Sequence, residues 1–262
     1  MAKSKFEYVK KFEENDVCLP NCWIVVRIDG RSFHRFSEDH CYSKPNDVRG
    51  LSLMNKCAEE VMQQFHDITI SYGESDEYSF IFKRKTTQFS RRKSKLMTNI
   101  VSLFSSCFVF HWQKFFPDTK LQYPPMFDSR VAVYPALENI RDYLNWRQAD
   151  CHINNLYNTC FWTLVNRGGL TTTEAEKKLK GTLSGDKNEM LFSEFGINYN
   201  EEPDSFKKGS VLIRELYEDE VVKKTKDGEL TNETTKRTRS KVVLLHQDII
   251  GNSFWKQHPN IL

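Results

Sequence analysis

The sequence contains no apolar run able to cross a bilayer, which would take about 18 or more nearly uninterrupted apolar residues. Its best run, Ile100 to Trp112, is broken by three serines and a histidine and reads as a buried helix. No secretory leader is expected, because Lys10, Lys11, Glu13 and Glu14 interrupt the stretch where its apolar region would have to lie. The expectation is an intracellular protein with no membrane partner. The seven cysteines form no repeated C-x-x-C clamp, so reduced, structural thiols are expected. Cys18, Cys22, His34 and His40 would be the candidates for a zinc site, but their spacing fits no common zinc module. No internal repeat is visible. Net charge is only +3, which by itself says little about partners.

What is present is a composition fit for a packed core: 39% hydrophobic and 13% aromatic residues in 262, enough for one large domain or a domain with an appendage. Positive charge is clustered. Lys83, Arg84, Lys85, Arg91, Arg92, Lys93 and Lys95 fall in a stretch without one acid, and Lys223, Lys224, Lys226, Lys236, Arg237, Arg239 and Lys241 form a second group. A charge run is often just a solvated face; two of them suggest a polyanionic partner.

The run CWIVVRID, residues 22–29, is apolar but for Arg27 until Asp29-Gly30 closes it, the pattern of a buried central strand ending in a turn. Leu51, Met54, Ala58, Val61, Met62 and Phe65 recur at helical spacing, predicting an amphipathic helix over residues 45–65. Ile68, Ile70 and Tyr72, a turn at Gly73-Glu74-Ser75-Asp76, then Tyr78, Phe80 and Phe82 predict a hairpin with acids at its tip. A long helix over 94–116 and a strand at 130–134 follow. The order β-α-β-β-α-β is the ferredoxin-like arrangement, so the fold class is α+β, with a palm of the polymerase and cyclase kind. Residues 1–136 would form this catalytic core. Residues 137–262 would add helices over 137–164 and 171–195 and a hairpin over 211–245 around Asp227-Gly228, integrated with the core. The Thr-rich, charged stretch 223–241 is expected to be its flexible part.

In this topology Asp29 and Asp76 become neighbours although 47 residues separate them. Two carboxylates so placed suit a pair of Mg²⁺ ions, which favour oxygen ligands and can stabilise both oxygens of a phosphoryl transfer. The plainer reading is an Asp-Gly turn and a solvated hairpin tip carrying Glu74, Asp76 and Glu77. The run Gly30, Arg31, Ser32, Phe33, His34 offers backbone N–H groups and an aromatic platform for a triphosphate, within reach of Lys44 and Ser75. Arg92 and Lys95 stand at a helix start, where the macrodipole disfavours cations, so an external anion is expected there. His152 and Asn155 share a face of the asparagine-rich stretch HINNLYN, where RNA recognition and a capped kink compete as explanations.

Taken together, VRIDGRSFHRF, YGESDEYSF, WRQADCHINNLYN and DKNEMLFSEF resemble the eukaryotic tRNA(His) guanylyltransferase family, over nearly the whole chain. The resemblance implies an enzyme that adds one guanylate to the 5′ end of tRNA(His), at position −1, in the 3′-to-5′ direction. It activates the tRNA with ATP, uses GTP as the incoming nucleotide and removes pyrophosphate. It further implies Mg²⁺ at Asp29, the Gly30 carbonyl and Asp76. Triphosphate contacts would come from residues 29–34 with Ser75 and Asp76, support from Glu77, and help in activation from Lys44 and Ser75. Recognition of tRNA would involve His152 and Asn155, with Lys187 and Asn188 as further candidates. A homotetramer is implied, in the cytoplasm, with nucleus and mitochondria as further compartments. The competing classes are a palm-fold nucleotidyl cyclase and a non-catalytic tRNA-binding protein.

Overall fold

The computed structural model describes residues 4–224 and 230–262. The first strand, β1 (Trp23–Gly30), is the buried run ending at Asp29. It is followed by a short helix the pattern did not announce, α1 (Phe33–Asp39). Next come α2 (Val48–Gln64), β2 (Ile68–Glu74), β3 (Glu77–Phe82), α3 (Lys93–Phe115) and β4 (Phe127–Tyr134). The helix expected from residue 45 starts later because Asp47 caps it, its carboxylate accepting the Arg49 N–H at 2.9 Å. The hairpin turn is tighter than expected: β2 keeps Glu74 in the ladder opposite Glu77, and Ser75, next to Asp76, takes a left-handed backbone with φ 48.

The remainder is α4 (Leu137–Asn166), α5 (Thr172–Leu179), α6 (Ser184–Phe195), a single turn α7 (Asp204–Lys207), β5 (Ser210–Lys224), β6 (Leu230–Leu245) and α8 (Asn252–Gln257). The turn expected at Asp227-Gly228 lies outside the described residues. Of the stretch expected to be flexible, residues 230–241 belong to β6.

All six strands join one antiparallel sheet in the order β4-β1-β3-β2-β5-β6. The first four reproduce the ferredoxin-like order, and the hairpin extends it from β2. On one face, Ile24, Val26 and Ile28 of β1 pack against α2 and against the α3 stripe Leu96, Ile100, Phe104, Phe108 and Trp112, all buried. On the other, Trp23 and Val25 meet Ile140, Tyr143 and Leu144 of α4. Because both faces are covered, β1 is apolar on both sides from Trp23 to Ile28 except at Arg27, which meets Glu77. A third core, around Leu156, Cys160, Leu164, Ala175, Leu179 and Leu191, joins the far half of α4 to α5 and α6. Gly73 permits the tight hairpin: a Cβ there would lie 2.1 Å from the Tyr78 ring across the ladder. Among the described residues, no helix is long and apolar enough to cross a membrane.

Candidate active site

Strand β1 and the β2–β3 turn end at the same edge of the sheet. Asp29 pairs in register with Glu77, and the Gly30 N–H donates to the Asp76 carbonyl at 3.1 Å. Gly30 is pressed so closely on this turn that a Cβ would sit 2.8 Å from Asp76 Oδ2 and 2.6 Å from the Phe33 ring. Above them opens a cavity of about 840 Å³, within the range of about 300–1,000 Å³ usual for ligand sites. It is walled by the β-edge, by α1 with the loop leading into α2, and by α4.

This cavity brings together Asp29, Gly30, Ser32, Phe33, His34, Lys44, Ser75, Asp76, Glu77 and Asn155. Arg31, Arg92, Lys95, His152, Lys187 and Asn188 do not line it. The amides of Gly30 and Arg31 are taken by the Asp76 and Met126 carbonyls. The free N–H groups expected here are therefore those of Ser32, Phe33 and His34 at the first turn of α1, where a helix has no internal partners for them. The Phe33 ring is less an open platform than part of an aromatic cluster with Phe36, Phe108 and Phe127, at centroid distances of 4.9, 6.0 and 5.8 Å. Lys44 Nζ donates to Ser37 Oγ at 3.2 Å and lies 5.5 Å from the Trp162 ring.

The four acids at this edge divide into two pairs. Glu74 and Glu77 are engaged: Arg147 of α4, only 4% exposed, donates to both Glu77 oxygens at 3.1 and 3.2 Å and lies 3.7 Å from Glu74. Arg27 adds a contact to Glu77 at 3.4 Å. Asp29 and Asp76 have no ion-pair partner among the described residues. Burial first, then the charge of Asp29, pushes Asp76 up to about 6. Burial and the charge of Glu77 push Glu74 up to about 8, against the pull of Arg147.

Two unpaired carboxylates beside a closely pressed backbone carry a negative potential that a hard cation would relieve, and every donor is oxygen, as Mg²⁺ prefers. Among the described residues, no group of three or more His, Cys, Asp or Glu side chains could hold a metal. A cation here would therefore take part of its shell from phosphate and water, as Mg²⁺ commonly does. The zinc alternative is not supported, because His40 is buried with both ring nitrogens in use, Nδ1 on the Phe36 carbonyl at 2.8 Å and Nε2 accepting from the Gln122 N–H at 2.9 Å.

The helix-start site needs a correction. The anion expected at the α3 N-terminus is internal: Asp16 accepts the Ser94 N–H at 2.6 Å and meets Arg92 at 3.4 Å. Those Ser94 hydrogen bonds, with Arg92, hold its carboxyl down to about 2. Arg91 of the same run is buried and donates to the carbonyls of Cys18, Leu19, Cys22 and Thr86. In the second basic group, Lys236, Arg239 and Lys241 are answered within the chain, facing Glu218, Asp219 and Glu215 across the hairpin. Side chains 220–235, and with them Lys223, Lys224 and Lys226, lie outside the description.

Further along α4, Asn155 is buried and donates to the Tyr199 hydroxyl at 3.0 Å, while the exposed His152 ring lies 5.6 Å from the same Tyr199. On α6, Lys187 donates to the Thr182 carbonyl at 2.8 Å and Asn188 is exposed. Besides Asn155, the cavity-facing residues of α4 include Arg147, Asp150, Cys151, Asn154, Asn158 and Trp162. Their three-to-four-residue spacing is a signal of helical phase, which the asparagine-rich composition of the stretch does not reveal.

The family model described as tRNAHis guanylyltransferase matches residues 6–135, and that of the Thg1 C terminal domain matches residues 138–251. The chain belongs to the tRNA(His) guanylyltransferase family. A Neurospora crassa member named tRNA(His) guanylyltransferase is 50% identical over 282 residues, covering 100% of this chain and 96% of that protein. The crystal structure of the Saccharomyces cerevisiae tRNA(His) guanylyltransferase is 55% identical and superposes with a TM-score of 0.77 over 80% of this chain and 93% of the other. A bacterial Thg1-like protein solved in complex with ATP shares the fold, at a TM-score of 0.73 and 21% identity over 97% of each chain. The family is one of nucleotidyltransferases, and the palm expected from the order of strands and helices is the fold observed.

Proposed function

We propose that this chain adds a single guanylate to the 5′ end of tRNA(His), at position −1, growing the RNA in the 3′-to-5′ direction. The 5′-monophosphate of the tRNA attacks the α-phosphorus of ATP and releases pyrophosphate. The 3′-hydroxyl of GTP then attacks the activated 5′-phosphorus and AMP leaves. Hydrolysis finally removes pyrophosphate from the new 5′ end. The observation that carries this reading is the meeting of Asp29 and Asp76, neither with an ion-pair partner among the described residues, on the wall of a cavity of about 840 Å³ that α4 also lines.

Asp29, the Gly30 carbonyl and Asp76 would hold two Mg²⁺ ions. When bound, these would stabilise charge on the attacking and leaving oxygens. The first turn of α1 and Ser75 hold a triphosphate, Lys44 contributes a positive charge from the facing loop, and Glu77 supports the carboxylate edge. Lys95, outside the cavity, serves the RNA or a second triphosphate, with Arg92 beside it sharing its charge with Asp16, and His152, Asn155, Lys187 and Asn188 lie along the RNA path. The family resemblance further supports a homotetramer with tRNA spanning subunits.

The test is incubation with 5′-monophosphorylated tRNA(His), ATP, Mg²⁺ and labelled GTP, beside Asp76→Ala and a non-histidine tRNA, read on a denaturing gel. The expected product is one nucleotide longer at its 5′ end and absent from both controls, with Asp76→Ala at least about 10³-fold slower, the scale of losing a principal source of transition-state charge stabilisation. Full activity in Asp76→Ala would sink the metal assignment. tRNA binding without any labelled product would favour a binding protein.

A further inference from the structure

Four carboxylates crowd the end of the sheet, yet they are not equivalent. Asp29 and Asp76 have no ion-pair partner among the described residues, whereas Glu77 is gripped through both oxygens by Arg147 at 3.1 and 3.2 Å and touched by Arg27 at 3.4 Å. Arg147 also reaches Glu74 at 3.7 Å and Asp150 at 3.2 Å. Glu77 stands directly across the ladder from Asp29, where opposite Cβ atoms are about 4.5–5.5 Å apart. A released Glu77 side chain would thus be long enough to reach a cation on Asp29.

We infer that Arg147 is a positioning residue: by holding Glu77 and Glu74 against α4, it leaves Asp29 and Asp76 as the sole carboxylates presented to divalent cations. This rests on the metal reading of the proposed function. The geometry favours restraint over simple support, because one guanidinium nitrogen, Nη1, donates to both Glu77 oxygens while Nη2 meets Asp150 of the same helix, and the group is itself buried. The neighbouring Gln148 fixes that helix in register, donating to the Lys208 and Gln247 carbonyls at 2.8 and 2.9 Å and accepting the Ile249 N–H at 2.7 Å. A helix tied this firmly is a rigid mount for the arginine. With the glutamates withdrawn, the cation keeps open positions for phosphate oxygens. With Glu77 released, the protein would fill those positions itself.

The experiment measures Mn²⁺ binding by electron paramagnetic resonance, without nucleotide or RNA, on the full chain and three variants, with circular dichroism to check folding. Arg147→Met should bind Mn²⁺ at least about tenfold more tightly than the native chain, the direction expected when ligand charge count rises, while kcat falls with little change in KM for tRNA. Arg147→Met combined with Glu77→Gln should return Mn²⁺ affinity to the native value. Glu77→Gln alone should leave that affinity unchanged, and it decides the matter if Arg147→Met does not fold. Unchanged or weaker Mn²⁺ binding in a folded Arg147→Met, or a tenfold loss in Glu77→Gln alone, would overturn the inference. Since Mn²⁺ binding is read without the reaction, a native chain that binds Mn²⁺ but transfers no guanylate would refute the proposed function and leave the role of Arg147 standing.

Discussion

The two faces of the sheet are built on opposite principles. Toward α2 and α3 the contact is dry and aromatic: Phe80, Phe104, Phe108 and Phe116 are completely buried, and the Trp112 and Phe116 rings stack at 4.2 Å. Toward α4 the contact begins as apolar at Trp23 and Ile140 but becomes ionic near the strand ends, where Arg147 lies among Glu74, Glu77 and Asp150. Burial of apolar surface contributes about 25 cal/mol per Å² without directional demands, while a buried ion pair recovers little beyond its own desolvation. The first face therefore supplies stability. The second keeps charge in a chosen arrangement beside the cavity, at a thermodynamic disadvantage the first can carry.

The contrast is broken most forcefully from the dry side. Phe104 touches Tyr78, Phe80 and Phe127 at centroid distances of 6.0, 6.3 and 5.2 Å, so Phe104→Ala leaves a cavity that close-packed neighbours cannot fill. The expected loss is about 3–5 kcal/mol in urea denaturation, with residual guanylate addition in the fraction still folded. A loss below about 1 kcal/mol would mean that the α3 face is not the principal source of stability.

The wet side is exposed by pH. Folded Glu74 is raised to about 8 and folded Asp76 to about 6, against ordinary carboxylate values of 4.5 and 3.8. A raised carboxyl binds its proton better when folded, so this contribution is complete below about pH 4 and is lost as pH climbs through 6 and then 8. Metal-free protein should accordingly lose thermal stability from pH 5 to 9. Glu74→Gln, with no proton to release, should flatten the part between pH 6 and 8. Depressed carboxyls such as Asp16 and Asp67 act in the opposite sense and only at acid pH. Melting curves in chelator across this range would check it; equal slopes for the two proteins would remove Glu74 from the account.

What was legible in the sequence follows the same division. β1, the hairpin, α2 and α3 were visible because apolar periodicity records one-dimensional facts about burial, and Asp29 and Asp76 were visible because they terminate those patterns. α1 escaped because seven residues beginning at Phe33 give too few turns for a period to register. Arg147 escaped for a deeper reason: its partners Glu74 and Glu77 lie about seventy residues away, and a buried arginine looks like any other in a charged helix. Arg91 shows the converse error, a basic residue counted toward an anion surface that instead ties down the carbonyls of the Cys18–Cys22 loop. Composition counts charges, and only the fold says which of them are already answered.

That distinction yields the smallest expected effect. On the β5–β6 arm Arg239 meets Asp219 at 2.7 Å, but the two side chains are 52% and 36% exposed, so the pair is worth about 0.2–1 kcal/mol. Arg239→Ala should barely move the melting temperature. It should also leave the salt dependence of tRNA binding almost unchanged, because an arginine already faced by an acid releases few counterions from RNA. Lys95 is exposed at the start of α3 and has no ion-pair partner among the described residues. If RNA runs past it, Lys95→Ala should lower the slope of log affinity against log salt by about 1. Titrations of both variants at several salt concentrations separate the two groups of bases. A reduced slope for Arg239→Ala and none for Lys95→Ala would move the RNA from the end of the palm to the arm.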